Sequence, residues 1–410
     1  MIKRIIIGIL AAGAAVAAGA QEAMTLEQCL EVAMSQNIGV AAAQMAVERA
    51  KAMQGSSFDL PATELTLAQD ATSGGGTDNN ISIAQSFDFP TVYVQRRKHL
   101  VAQTNLERSN LEVAKNELKK EVIGNYYLLV HAAEVVKIYE HQDSIYKNFA
   151  YIAGERLKAG EAGRLEMMNA DRLCKENWHE LLRARAAYSG IQLVLQGLMN
   201  YHTTITPATK LDAIDNNLPA AQLNFAASPM GEVFAGKVAV SERNLSVAKQ
   251  EYLPSFNFAI KNQLLIKGFN PYNISREKFD KGSFVGFEVG MSVPLVFGSR
   301  HAKANAAKGE VQIAKMEQAQ AQLAANQQYQ QYMVQLSQAS QTMAYYNQEA
   351  HQNASELARI AQISYENGEI SYVEYIQNLQ AAAQTHRQHI DAINDYNQII
   401  ISLNYLQGFK

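Results

Sequence analysis

The chain has 410 residues, 48% of them hydrophobic, with 36 Lys and Arg against 39 Asp and Glu, a formal charge of -3. So mild an acidic balance argues against nucleic acid as a partner. Past the first twenty residues no run of 18 or more apolar residues occurs, so no transmembrane helix is expected.

Residues 1–20 read as a secretory signal peptide. Lys3 and Arg4 form the positive start, residues 5–18 a short Ala- and Gly-rich apolar core, and Ala18-Gly19-Ala20 a small-x-small cleavage site. No cysteine follows that site, so a lipidated N-terminus is not expected. Cys29 and Cys174 sit in helical patterns and are read as buried free thiols, although an exported protein would permit them to pair.

Residues 25–57 read as helix, opened by a capping-box pattern, Thr25 with Gln28. Residues 61–70 alternate loosely, a Gly-rich polar turn covers 72–80, and a return strand follows. In that strand Ile81, Ile83, Phe87 and Phe89 fall on one side, with Ser82, Ala84, Ser86 and Asp88 on the other. From Thr91 to about Leu157 the absence of proline and rarity of glycine predict a helix on the order of 100 Å long. A glycine turn at Gly160 and Gly163 leads into helix 164–200, and 203–227 reads as a linker.

The plan then repeats. Helix 229–252 leads to strand 254–264, with Phe256, Phe258 and Ile260 on one face. Strand 284–294 alternates most cleanly, with Val285, Phe287, Val289 and Met291 against Gly286, Glu288, Gly290 and Ser292. A second long helix runs over about 299–366 and a last one over 371–407. The junctions match too. Leu60-Pro61 and Leu253-Pro254 end helices, and Pro90-x-x-Tyr93-x-x-Arg96 and Pro294-x-x-Phe297-x-x-Arg300 launch the long runs. Such self-similarity defines two structural repeats, 21–227 and 228–410, with β-hairpins at 61–90 and 254–294 and helical hairpins at 91–200 and 299–407. Neither half looks able to bury a core alone.

The fold class expected is mainly α with β. Residues 302–345, rich in Ala and Gln, carry only a narrow apolar stripe, as a helix wetted on more than one face would. The wall of a hollow α-barrel fits that better than an ordinary coiled coil. Each strand has about ten residues, the length that crosses an outer membrane at a tilt. The alternation offers Ile81, Ile83, Phe256, Phe258, Phe287, Val289 and Met291 to lipid and the other face to a lumen. Four strands in lipid would leave two open edges with unsatisfied backbone. Three copies would supply twelve strands and close a barrel.

The layout resembles the TolC-like outer-membrane efflux family, the outer-membrane factors. The resemblance rests on Thr25-Leu26-x-x-Cys29-Leu30-x-x-Ala33-x-x-x-Asn37, the two Leu-Pro junctions, Pro294-Leu295-Val296-Phe297-Gly298 and Tyr365-x-x-Gly368-x-Ile370-x-x-x-Glu374. It implies a homotrimer in the outer membrane, with a helical barrel in the periplasm. Its partners would be a periplasmic adaptor and an inner-membrane transporter. The implied role is the passive exit duct of a tripartite efflux pump or a type I secretion system. The stretch 86–93 is most similar to members that serve heavy-metal resistance-nodulation-division pumps. A periplasmic scaffold or adaptor without a pore is the competing reading.

No nucleophile elbow, phosphate cradle or metal-type spacing occurs, so neither enzyme activity nor a cofactor is expected. His386 and His389, three apart on a helix, lack a third ligand nearby in sequence and read as a solvated face. Met167 and Met168 read as packing between hairpin helices. The tips are the candidate sites. Gly160 and Gly368 permit the chain reversals. Arg156, Leu157, Glu161 and Arg164 surround the first, and Tyr365, Glu366, Glu369 and Glu374 the second. The resemblance implies adaptor docking and a closed aperture there; capped, solubilised turns are the plainer reading.

Overall fold

The computed structural model describes residues 22–70, 78–160, 163–215, 222–264 and 284–409. The expected signal peptide, Glu161 and the middle of each strand-to-strand loop lie outside the described residues.

A short strand, β1 (Glu22–Met24), precedes Thr25, whose side chain opens α1 (Leu26–Gln36). Gln28 N donates to Thr25 Oγ1 at 3.3 Å, and Thr25 N donates to Gln28 Oε1 at 2.9 Å. This reciprocal cap satisfies two donors that a helix start otherwise leaves open. The single helix expected over 25–57 is broken at Asn37, which is extended. Asn37 Oδ1 accepts from Val40 N at 3.0 Å, capping α2 (Ile38–Met53), and its Nδ2 donates to Leu198 O at 2.8 Å. A short polar side chain that bonds nearby backbone competes with continued helix.

The remaining elements follow the repeat. They are β2 (Glu64–Asp70), β3 (Asp78–Asp88), α3 (Pro90–Lys158) and α4 (Arg164–Met199) in the first copy. The second has α5 (Pro229–Gln250), β5 (Ser255–Leu264), β6 (Phe284–Ser292), α6 (Gly298–Tyr345), α7 (His351–Glu366) and α8 (Tyr372–Gln407). The helix α3 is 69 residues long. The run expected over 299–366 is interrupted by a π-helical turn, Tyr346–Ala350, between α6 and α7. The linker 203–227 contains a strand, β4 (Ile205–Pro207), which pairs in parallel with β1.

Two compact units result, and each draws on both repeats. One comprises 1–41, 114–224 and 325–410, the other 42–113 and 225–324. The first is a helical core in which Tyr126, Leu129, Leu181, Leu195, Ile400 and Leu403 are buried. Tyr126 donates its hydroxyl to Met24 O at 2.9 Å, which anchors the β1–β4 pair. Cys29 is fully buried, and burial pushes its thiol up to about 11. Cys174 is only half-buried, and neither cysteine is bridged. A thiol held protonated in this way is a packing group rather than a nucleophile.

The second unit holds an antiparallel sheet of order β2-β3-β5-β6, in which β3 and β5 join the two hairpins. The repeated launch motif has a visible job here. Tyr93 packs on Phe58 with centroids 4.9 Å apart, and Phe297 stacks on Tyr252 at 6.0 Å. Arg96 pairs with Asp88 at 2.8 Å, while Arg300 Nε donates to Glu251 O at 2.7 Å. In both copies an aromatic and an arginine, one helical turn apart, lock the first turns of a long helix onto the chain beside the sheet.

Candidate functional site

The cross-strand register sorts the sheet into two faces. Leu65 pairs with Ile83, Leu67 with Ile81, and Phe87 with Phe256. Ile83 also pairs with Ile260, and Phe258, Phe256 and Ile260 pair with Val289, Met291 and Phe287. Directly opposed side chains share a face, so the apolar residues of four strands form one surface. That surface is bare: Phe287 is 80% exposed, Leu67 74% and Val289 69%. The other face carries Ser82, Ala84, Asn257, Lys261 and Glu288, the last two joined as an ion pair.

Two polar residues interrupt the apolar face. Gln85 falls on the apolar face by register but folds back, donating to Pro61 O at 2.8 Å and accepting from Thr63 Oγ1 at 2.6 Å. Asn262, between Ile81 and Val285 on the same face, is the second. From Val285 to Met291 the band is about 20 Å tall at the usual rise per strand residue, near the ~25 Å of outer-membrane barrels. Within the described residues, β2 and β6 each have one neighbour, so both outer edges are open. Among the described residues no helix is long and apolar enough to cross a membrane.

The tips lie in the other unit. Gly160 and Gly368 share a φ of +76°, in the left-handed region that glycine enters without a Cβ clash. Gly368 N donates to Tyr365 O at 3.0 Å and Glu369 N to Ser364 O at 2.8 Å, which closes the last turn of α7. At the first tip Arg156 pairs with Glu166 across the turn at 3.2 Å. Arg164 is exposed, as are Leu157, Glu366 and Glu369. Glu374 caps α8, accepting from Ser371 N at 2.8 Å, and those hydrogen bonds hold its carboxyl below the usual carboxylate range. Tyr365 stacks on Tyr375 with centroids 4.7 Å apart.

A shared core ties the two tips. Phe149 of α3 stacks on Tyr372 of α8 at 3.6 Å, with Tyr146, Ala153, Ala170 and Ile376 buried around them. The methionine pair divides. Met167 packs on this cluster, whereas Met168 is 61% exposed. Leu165, Val373 and Tyr151 are exposed as well. Sequence reasoning passed over these three. Their signal was an apolar residue within two positions of a helix start, or on the outer side of a hairpin, with no partner at helical spacing.

Residues 235–408 match the family model described as outer membrane efflux protein. No curated protein matches the chain in sequence. Solved structures match over nearly its whole length. The CmeC outer membrane channel of Campylobacter jejuni is 16% identical, with 93% of this chain and 85% of that chain covered and a TM-score of 0.74. A membrane protein from Pseudomonas aeruginosa is 13% identical, covering 93% and 90%, with a TM-score of 0.79. The open state of the MtrE outer membrane channel of Neisseria gonorrhoeae is 15% identical, covering 93% and 88%, at 0.76. Identities this low establish a shared fold, and the fold spans both repeats. The family match adds a likeness in sequence over 235–408, where the chain is similar to the outer membrane efflux proteins.

Proposed function

We propose that the chain is the outer-membrane exit duct of a tripartite efflux assembly, acting as a trimer. One observation carries this reading: a four-stranded sheet with a bare apolar face and two open edges. In lipid each unpaired backbone group costs several kcal/mol, so a four-stranded sheet cannot stand alone there. Three copies pair β6 of one chain with β2 of the next and yield twelve strands with no edge. Lys261, Glu288 and the serines then face the lumen. Such a lumen conducts polar solutes passively, and selection rests with the transporter that loads it.

The helical hairpins then lie in the periplasm, with their tips toward a periplasmic adaptor and an inner-membrane transporter of the resistance-nodulation-division type. Support comes from Leu157, Leu165, Met168 and Val373, apolar side chains exposed beside the turn glycines. Exposed apolar groups grouped at one feature mark contact surfaces. Conductance in planar bilayers tests the duct. Discrete single-channel steps from purified protein support it. A water-soluble protein that never conducts is a scaffold instead.

A further inference from the structure

His386 and His389 have no third ligand nearby in sequence, but the fold brings one to them from a distance. His351, the first residue of α7, comes from 35 positions upstream and completes a group of three. Ring nitrogens of His351, His386 and His389 all lie within 4.8 Å of one another. Nδ1 of His351 and Nδ1 of His386 are 3.0 Å apart, and the two rings stack with centroids at 4.8 Å. His351 and His389 also have centroids at 4.8 Å.

The third ring is oriented by its neighbour. His389 Nε2 donates to Asn347 Oδ1 at 2.6 Å, which fixes the proton on Nε2. Its Nδ1 is therefore a lone-pair nitrogen, and it is buried with no hydrogen-bond partner. A ligating histidine almost always gives its other N–H to an oxygen acceptor in this manner. Asn347 belongs to the π-helical turn that ends just before His351. Turns of this kind insert one residue into a helix and recur at functional sites. His386 also lines a cavity of about 330 Å³ with Glu134, Lys137 and His141.

We propose that His351, His386 and His389 bind one divalent transition-metal ion per chain, with Zn²⁺ or Cu²⁺ the best match, and that Asn347 positions His389. Three imidazoles suit these ions, whereas Mg²⁺ and Ca²⁺ require oxygen. A tetrahedral shell with metal–nitrogen distances near 2.0–2.1 Å puts ligand nitrogens about 3.3 Å apart. The His351–His386 pair already approaches that spacing, and the remaining gap closes by ring rotation. The ion would clamp α7 to α8.

The test uses the full chain without a polyhistidine tag, purified in detergent and titrated calorimetrically with ZnCl₂, CuCl₂ and MgCl₂. One Zn²⁺ or Cu²⁺ per chain is expected, with no Mg²⁺ uptake. His351→Ala and His386→Ala should each weaken binding at least tenfold, and Asn347→Ala by about 10–100-fold. His179→Ala and His202→Ala should leave it unchanged. His386 is exposed, so its replacement does not endanger folding. Absence of binding in the wild type, or equal binding after both His351→Ala and His386→Ala, overturns the site.

Discussion

A single arginine at Val289 separates a lipid-facing sheet from a water-facing one. Val289 sits near the middle of the Val285–Met291 band, opposite Phe258, and is 69% exposed. An arginine on the lipid face of a barrel costs roughly 2–4 kcal/mol near the bilayer midplane. Three symmetry-related copies raise that to about 6–12 kcal/mol per trimer, comparable to the whole stability of a domain. Its neighbour Glu288 points to the other face and pairs with Lys261, both side chains about half exposed. Exposed pairs of this kind contribute only about 0–1 kcal/mol, so Glu288→Gln should leave assembly intact and alter ion selectivity. The assay is the fraction of each variant recovered as oligomer from outer membranes, compared with wild type. Loss of the oligomer in Val289→Arg alone is expected. Normal assembly of Val289→Arg with failure of Glu288→Gln would invert the facing and refute the argument.

Other predictions concern the hairpins. Gly368→Ala should cost about 1–2 kcal/mol, since a Cβ there meets no atom within 4 Å and only the positive φ is strained; a thermal melt reads this, and an unchanged Tm would contradict it. Gly368→Val should strain the turn more, and efflux in cells should fall while membrane insertion persists. Phe149→Ala removes the ring stacked on Tyr372 and should destabilise the tips by about 3–5 kcal/mol in denaturant titration. Asp391 gives a pH dependence. Burial acts to raise its pKa, but the hydrogen bond from His131 at 2.6 Å and the Arg387 guanidinium outweigh it and hold it below the usual range. A depressed carboxyl stabilises the fold above its unfolded pKa, near 3.9, and that contribution disappears as pH falls through the folded value. Asp391→Asn should therefore flatten the acid limb of stability, which urea midpoints measured from pH 2 to 6 would reveal.

Much of this architecture is legible in the sequence because period and punctuation speak locally. The alternation through Val285, Phe287, Val289 and Met291 depends only on the pleat, and the structure exposes all four. The turn glycines, and the cap at Thr25 and Gln28, are likewise short-range devices. What escaped was set by distant partners. Asn37 breaks a helix because its side chain also reaches Leu198. The strand within 205–207 has three residues, too few for a period, and exists because β1 lies beside it. The π-helical turn at 346–350 leaves no mark in an Ala- and Gln-rich run, and with it His351 went unconnected to His386. Of the tips, the glycines and charges were readable. That Leu165 and Val373 stay exposed was not, since exposure depends on what the opposing helix leaves uncovered.

The claim at the centre is that one chain cannot close its own barrel and three can. Native mass spectrometry of the purified protein released from mild detergent tests it directly. A dominant species at three times the mass of the mature chain is expected. A monomer as the only species, stable in detergent and fully folded, would contradict it.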